Sequence, residues 1–262
     1  MTNKKLTIIS VSLLSLFLVA TFATFRQQAQ DKSSVQKDEP TLVKKGQVTE
    51  KEKAYSREFE KEYDRSDEPK LTEIDEPGGL GIVIGEPTYP SSPYDVPITS
   101  KRFLGKLACQ ADAVVVGVVK DKTSHLTENE KFIFTSYILE VKTTIKDNAK
   151  SPIELGANLE VTRPGGFIKI GEQLVKLDDR SFKPLETGKE YLLYLRFVSS
   201  AKGYKVFDFQ SDFALENGVA KSLSSQLKQP ELKNGAKSKD ILELAKTAAL
   251  TDCSQYKEEV NK

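Results

Sequence analysis

The stretch KFIFTSYILEVKTTIKDN, Lys131 to Asn148, constrains the fold of this chain more than any other. Tyr137, Leu139, Val141 and Ile145 fall on one parity, and Ser136, Glu140, Lys142, Thr144 and Lys146 fall on the other. Strand side chains alternate between two faces, so this pattern predicts a half-buried strand with one dry face. Ahead of it, Ala113 to Val119 (AVVVGVV) is β-branched and apolar throughout, as expected of a strand covered on both faces. Gly117 inside that run predicts a bulge or a sharp bend.

Further strands are predicted at 158–162, 173–177 and 191–198, with shorter ones at 204–207, 213–216 and 219–223. Arg163-Pro-Gly-Gly166, Glu186-Thr-Gly188 and Glu216-Asn-Gly218 separate them, the last being an Asn-Gly hairpin signal. Short strands at this spacing argue for a mainly β barrel or sandwich rather than a parallel α/β sheet.

Two helices flank the strands. TSKRFLGKLACQA has Thr99 or Ser100 as its cap, with Phe103, Leu104 and Leu107 on one side. SKDILELAKTAAL, Ser238 to Leu250, carries an apolar stripe of Ile241, Leu242, Leu244, Ala245 and Ala248. The folded domain is therefore expected at 98–256, followed by a short tail, 257–262. A domain of about 160 residues buries roughly 70% of its unfolded surface, so one core suffices without a metal.

Leu6 to Phe25 contains no charged residue. As a helix, twenty residues span about 30 Å, the thickness of a bilayer core. Lys4 and Lys5 precede this run and only Arg26 follows closely, which predicts a cytoplasmic N-terminus and an exported remainder. The run exceeds a usual signal core and no Ala-x-Ala site ends it, so residues 1–26 read as a retained transmembrane anchor or a cleaved signal peptide.

Residues 27–97 read as a polar linker containing Pro and Gly, too poor in apolar groups to offset its ordering entropy. Within it, 49–65 has helical character: Thr49 and Glu52 fit a capping box, and Tyr55, Phe59 and Tyr63 recur every four residues. That stripe suits a partner-binding helix or a transient helix in a spacer. Gly79, Gly81 and Gly85 are spaced wrongly for a dinucleotide loop and run into Glu86-Pro87, leaving a short edge strand or plain linker.

Chemistry-bearing residues are few. The 39 basic and 38 acidic side chains nearly cancel, giving a formal charge of +1 and no electrostatic reason to expect nucleic acid. His125 is the one histidine, expected in a solvated polar loop, and no HExxH, CxxC, G-x-S-x-G or Walker pattern accompanies it. Asp178-Asp179 beside Arg180 reads as a turn with a local ion pair. No catalytic residue, metal ligand or cofactor is predicted. Arg163, Gly165 and Gly166 form a candidate ligand-binding turn, whose exposed arginine and bare backbone could meet an anion. A type II turn with Pro164 and Gly165 at its centre explains the same residues without a ligand. Phe132, Phe134 and Tyr137 line either a barrel face or a core.

ADAVVVGVVKD (Ala111 to Asp121), YILEVKTTIKDN (Tyr137 to Asn148) and GKEYLLYLRF (Gly188 to Phe197) occur in an order that resembles metalloproteinase-inhibitor (TIMP) and netrin-type modules. The resemblance implies an OB-like antiparallel barrel, flanked here by an N-terminal and a C-terminal helix. The chain is also similar to exported bacterial proteins with a Val-Thr-Arg-Pro-Gly-Gly segment and no assigned activity. The inhibitors bind protease zinc through a free N-terminal cysteine, whereas Cys109 lies well inside this chain and no Cys-x-Cys opens the domain. Only the barrel carries over.

Cys109 ends the first helix and Cys253 follows the last, the only two cysteines in the chain. In an oxidising compartment they are expected to pair. The sequence thus predicts a non-catalytic, extracytoplasmic binding module, tethered through residues 6–25 or secreted, with a protein or small-ligand partner in the cell envelope. A regulator or inhibitor of an extracytoplasmic enzyme, and a structural envelope component, are the alternatives.

Overall fold

The computed structural model describes residues 41–42, 48–63, 65–73, 80–83, 98–178, 183–208, 210–224, 227, 229–250 and 253–256. The first elements are β1 (Thr41–Leu42), α1 (Glu50–Glu62), a 3-10 turn (Leu71–Glu73) and β2 (Leu80–Val83). Helix α2 (Ser100–Gln110) then leads into β3 (Ala113–Leu126), β4 (Ile133–Lys146), β5 (Asn158–Pro164), β6 (Gly166–Ile170) and β7 (Gln173–Leu177). The chain continues through β8 (Glu190–Val198), β9 (Gly203–Val206), β10 (Asp212–Glu216), β11 (Val219–Ser222), α3 (Pro230–Asn234), β12 (Ala236–Lys237) and α4 (Ser238–Leu250). A second 3-10 turn, Cys253–Tyr256, follows.

The fold is mainly β, a large sheet with flanking helices. Strand β3 pairs antiparallel with β4 on one edge and β8 on the other. Its unbroken apolar run follows from what covers it: Val114 and Val116 enter one core, while Ala113, Val115 and Val119 enter another. Strand β8 divides the same way, Leu192 and Tyr194 to the first core, Tyr191, Leu193 and Leu195 to the second. The first core lies under α2 and α4, through Phe103, Leu104, Leu107, Ile241 and Ala245. The second is lined by β3, β4, β5, β8 and β9. The large sheet runs β12-β11-β10-β8-β3-β4-β5-β9, and β9 pairs again with β8. Successive pairings therefore lead from β8 through β3, β4, β5 and β9 back to β8, with β5–β9 the parallel step. A smaller sheet, β1-β6-β7-β2, holds the antiparallel β6–β7 hairpin between two parallel neighbours.

Local signals act where physical chemistry places them. The Thr99 hydroxyl caps α2, accepting from the Arg102 N–H at 3.3 Å. Asn217 (φ 52°) and Gly218 (φ 76°) turn the β10–β11 hairpin, as left-handed Asn-Gly turns do. The register of β3 against β4 shifts at Gly117, and again where Val114 faces Lys146 but Val115 faces Thr144. That second shift skips Ile145, which packs against the helical core instead of joining Tyr137, Leu139 and Val141. Lys146 in turn donates to the carbonyls of Ala108 and Ala111 at 2.7 and 2.6 Å, placing a cation at the C-terminus of α2.

Two boundaries differ from expectation. β3 continues to Leu126, so His125 sits on a strand and not in a loop. The compact unit spans 39–262, so the part of 27–97 around α1 and the 3-10 turn packs with the domain and does not act as a linker. The partner unit, 1–38, holds the apolar run 6–25 and lies outside the described residues, as do Gly79, Gly85, Asp179, Arg180 and the tail 257–262. Among the described residues no helix is long and apolar enough to cross a membrane.

Cys109 and Cys253 form a disulfide, with Cα atoms 5.6 Å apart and a separation of 144 positions in sequence. It ties the end of α2 to the turn after α4. Chain-entropy reasoning assigns a loop of this order up to about 5 kcal/mol, with about 2–4 typical. The Cys109→Ser/Cys253→Ser double variant is expected to lose about 2–4 kcal/mol of unfolding free energy in urea titration, with a larger m-value because the uncrosslinked denatured chain exposes more surface.

Candidate functional site

Helix α1 lies on a face built from β3, β4, β5 and β9. Its N-terminus carries the full capping box: the Glu52 N–H donates to Thr49 Oγ1 at 3.2 Å, and the Thr49 N–H donates to Glu52 Oε2 at 2.5 Å. Ala54, Tyr55, Phe59 and Tyr63 are buried against Phe132, Ile133, Phe134, Val198 and Ala201. Phe59 stacks 5.9 Å from Phe132 and 5.1 Å from Phe134, and Tyr63 stacks 4.6 Å from Phe132. The hydroxyl of Tyr55 donates to the Tyr204 carbonyl at 3.3 Å. A Cβ on Gly203 would come 2.1 Å from that hydroxyl, so glycine opens the seat for the tyrosine tip.

A polar rim surrounds the aromatic centre. Lys51 pairs with Glu160 at 2.6 Å, Arg57 with Glu128 at 3.4 Å, and Glu62 with the buried Lys205 at 2.8 Å. The backbone N–H groups of Glu128 and Asn129 donate to Ser56 Oγ (2.7 Å) and Glu60 Oε1 (3.0 Å). His125 Nδ1 lies 3.1 Å from Glu52 Oε1, and its ring stacks 5.0 Å from Phe134. Burial holds the His125 imidazole below its ordinary value, with Glu52 and Glu160 pulling it partly back. The solvated-loop expectation for His125 is thereby corrected: the strand extends, and α1 covers the ring.

The second polar centre surrounds Arg163, which the sequence places on an exposed turn. It is 1% exposed. Two residues beyond the inward Val161 on β5, it shares that strand face, and its guanidinium donates to the Lys183 carbonyl. Nη2 sits 2.8 Å from Oδ2 of Asp212, which is itself fully buried. Asp208 and Ser211 form the preceding turn, with the Asp208 N–H donating to Ser211 Oγ at 3.1 Å. Burial raises the Asp212 carboxyl to about 7, against the opposing pull of Arg163 and with a further push from Asp208.

Gly165 and Gly166 are likewise built into the fold. The Gly165 N–H donates to the Ile133 carbonyl, and its own carbonyl accepts from Thr135 Oγ1, both at 2.8 Å. Gly165 has φ 84°, where the chain leaves β5 for the smaller sheet. A Cβ on Gly166 would fall 2.6 Å from both Ser124 Oγ and Thr135 Oγ1. The exposed-turn expectation for Arg163, Gly165 and Gly166 is corrected accordingly: the run is a buried crossover between sheets.

Of the sequence-singled residues, the fold joins Cys109 to Cys253, and it brings Phe132 and Phe134 under Tyr55, Phe59 and Tyr63. It sends Tyr137 instead into the strand-lined core. Ser56, Glu60, Glu128, Glu160 and Lys205 escaped sequence reasoning, and Glu52 was singled out only as a capping residue. The aromatic stripe of 49–65 and the aromatic pair at 132 and 134 were the available signal. Among the described residues no group of His, Cys, Asp and Glu is arranged to hold a metal ion. The chain matches no protein-family model, and no curated protein aligns with it significantly.

Two outcomes follow from these contacts. Truncating Asp212 to Ala strands a buried guanidinium and is expected to cost about 3–5 kcal/mol in denaturant titration, while Arg163→Met/Asp212→Leu restores most of that loss. Because the folded state lowers the His125 pKa, the unfolded chain binds more protons just below about pH 6.5, and stability falls as pH drops through that value. Between about pH 7.5 and about pH 5.5 the wild type is expected to lose more stability than His125→Gln. Equal losses would remove the role given to the imidazole.

Proposed function

We propose that this chain is a non-catalytic binding module of the cell envelope, extracytoplasmic and held to the membrane through residues 6–25, and that its strand circuit is an OB-like barrel. In sequence order the five strands are β3, β4, β5, β8 and β9, and their pairings follow the order first, second, third, fifth, fourth and back to first. OB-type barrels engage ligands on the face of their second and third strands, between the loops joining strands one to two and four to five. The equivalents here are β4 and β5 with 127–132 and 199–202.

One observation carries the reading: this same face concentrates an aromatic platform and outward-directed polar groups. Phe132, Phe134 and His125 supply the platform. The N–H groups of Glu128 and Asn129, with Lys205, supply donors, and Glu160 and the Glu128 carboxylate supply acceptors. A dry aromatic centre inside a polar rim is the anatomy of a protein-recognition surface. The Cys109–Cys253 disulfide agrees with an oxidising compartment, and the uncharged run Leu6–Phe25 with membrane attachment.

The test uses the intact chain in its native envelope, with a photo-crosslinking side chain at Lys131 on the proposed face or at Lys239 on α4. Discrete protein adducts from position 131 and none from position 239 are expected. Identical adduct patterns from the two positions, or none from 131, would rule out this face as the binding site.

A further inference from the structure

The proposed face is occupied by the chain's own helix. We propose that α1 is a releasable strap that stands in for the partner on this face, and that the segment it holds off is an amphipathic helix with aromatic residues at i, i+4 and i+8 and acidic groups beside them. The inference rests on the binding reading of the face and adds its regulation and partner chemistry.

Four observations support release. First, the strand pairings of the circuit, β3–β4, β4–β5, β5–β9, β9–β8 and β8–β3, involve no residue of α1. Tyr55, Phe59 and Tyr63 can therefore leave without opening the barrel. Second, the seat holds its own shape. Within 127–132, the Thr127 N–H donates to the Phe132 carbonyl at 3.0 Å, the Glu130 N–H to the Thr127 carbonyl at 2.9 Å, and the Phe132 N–H to Thr127 Oγ1 at 3.0 Å. None of these bonds involves α1. Third, α1 has 13 residues, and isolated helices of that length are marginal in water. Its order depends on the seat, so undocking and melting are coupled. Fourth, the helix engages the face through groups on its own side chains, as a bound ligand does. Ser56 and Glu60 take the two loop N–H groups, Glu62 takes Lys205, and Glu52 meets His125.

The partner chemistry is read from the same contacts. Three aromatic side chains four residues apart fill the seat, and Gly203 leaves room for the tip of Tyr55 alone among them. Lys205, His125 and the two loop N–H groups favour acidic side chains along one flank of an incoming helix. Glu160 and Glu128 favour basic ones, as Lys51 and Arg57 are here. This is helix-in-groove recognition with its anchors at helical spacing.

Hydrogen exchange on the intact full-length chain tests the strap without any variant. Amides of 54–62 are expected to exchange through local opening, at least about ten-fold faster than amides of 137–141 in β4 after correction for intrinsic rates. Exchange of both sets at one common rate would make α1 an inseparable part of the core and overturn the proposal. A labelled peptide spanning residues 48–66 gives a second measurement. It is expected to bind a Tyr55→Ala/Phe59→Ala chain at least about ten-fold more tightly than wild type, since the resident helix lowers the competent fraction. No binding to that variant, with β4 still protected, also overturns the strap. If the variant loses its β4 protection, the wild-type exchange result decides alone. Local opening of α1 without adducts at position 131 would sink the binding reading and leave only a releasable helix with no partner to exclude; adducts without opening would keep the binding reading and overturn the strap.

Discussion

Everything in this fold depends on β8 and the first half of β3, Ala113–Val119, being covered on both sides. Adjacent in the sheet, they send alternate side chains into two cores that lie back to back. A strand pair of this kind tolerates neither a missing helical layer nor an open strand circuit, because either would expose a row of Val, Leu and Tyr to water. Burying one such side chain is worth about 1.5–3 kcal/mol, so each layer is a large term against a net stability of about 5–15 kcal/mol. The disulfide acts on the helical layer alone. It joins the two elements that cover Val114, Val116, Leu192 and Tyr194 from outside.

The docking of α1 is decided by a different balance. Its exposed ion pairs, such as Arg57 with Glu128, are worth at most about 1 kcal/mol each. Each stacked aromatic pair contributes about 0.5–1.5 kcal/mol beyond the area it buries. The aromatics supply the affinity of the helix for its seat, and the rim sets its register and direction. That division suits an element that must sit in one orientation and still leave. Arg163 and Asp212 follow the opposite logic: neither side chain reaches water, and each charge is tolerable only beside the other.

Much of the strand layout was legible because period-two patterns report local burial directly. YILEV could be assigned from parity, AVVVGVV and YLLYLRF from near-continuous apolar runs of strand length, and Asn217-Gly218 from turn stereochemistry. The C-terminal helix likewise spans Ser238–Leu250, as its stripe predicts. The candidate face was not legible. His125 follows a polar stretch, and Lys120 to Ser124 give no sign that the strand continues until β4 pairs with them. Arg163 beside Pro-Gly-Gly has the composition of a surface turn. Only its spacing of two from Val161, on a strand whose inner face was unknown, hinted that it points inward. Strand β6 was missed for a related reason. Its residues, GFIKI, join a sheet whose edge strands come from the N-terminal segment read as linker.

The sequence alone determined the mainly β class, the two flanking helices, most strand positions and the cysteine pairing, since each depends on local periodicity, on capping and turn chemistry, or on a two-member choice. Tertiary structure alone decided that α1 folds back onto β4 and β5, that His125 and Phe134 lie beneath it, and that Arg163 meets Asp212. These contacts join residues from 49 to 109 positions apart in the chain, a separation at which no periodic pattern in either segment carries information about the other. An aromatic stripe announces that it needs a partner; only the packed chain shows that the partner is its own sheet.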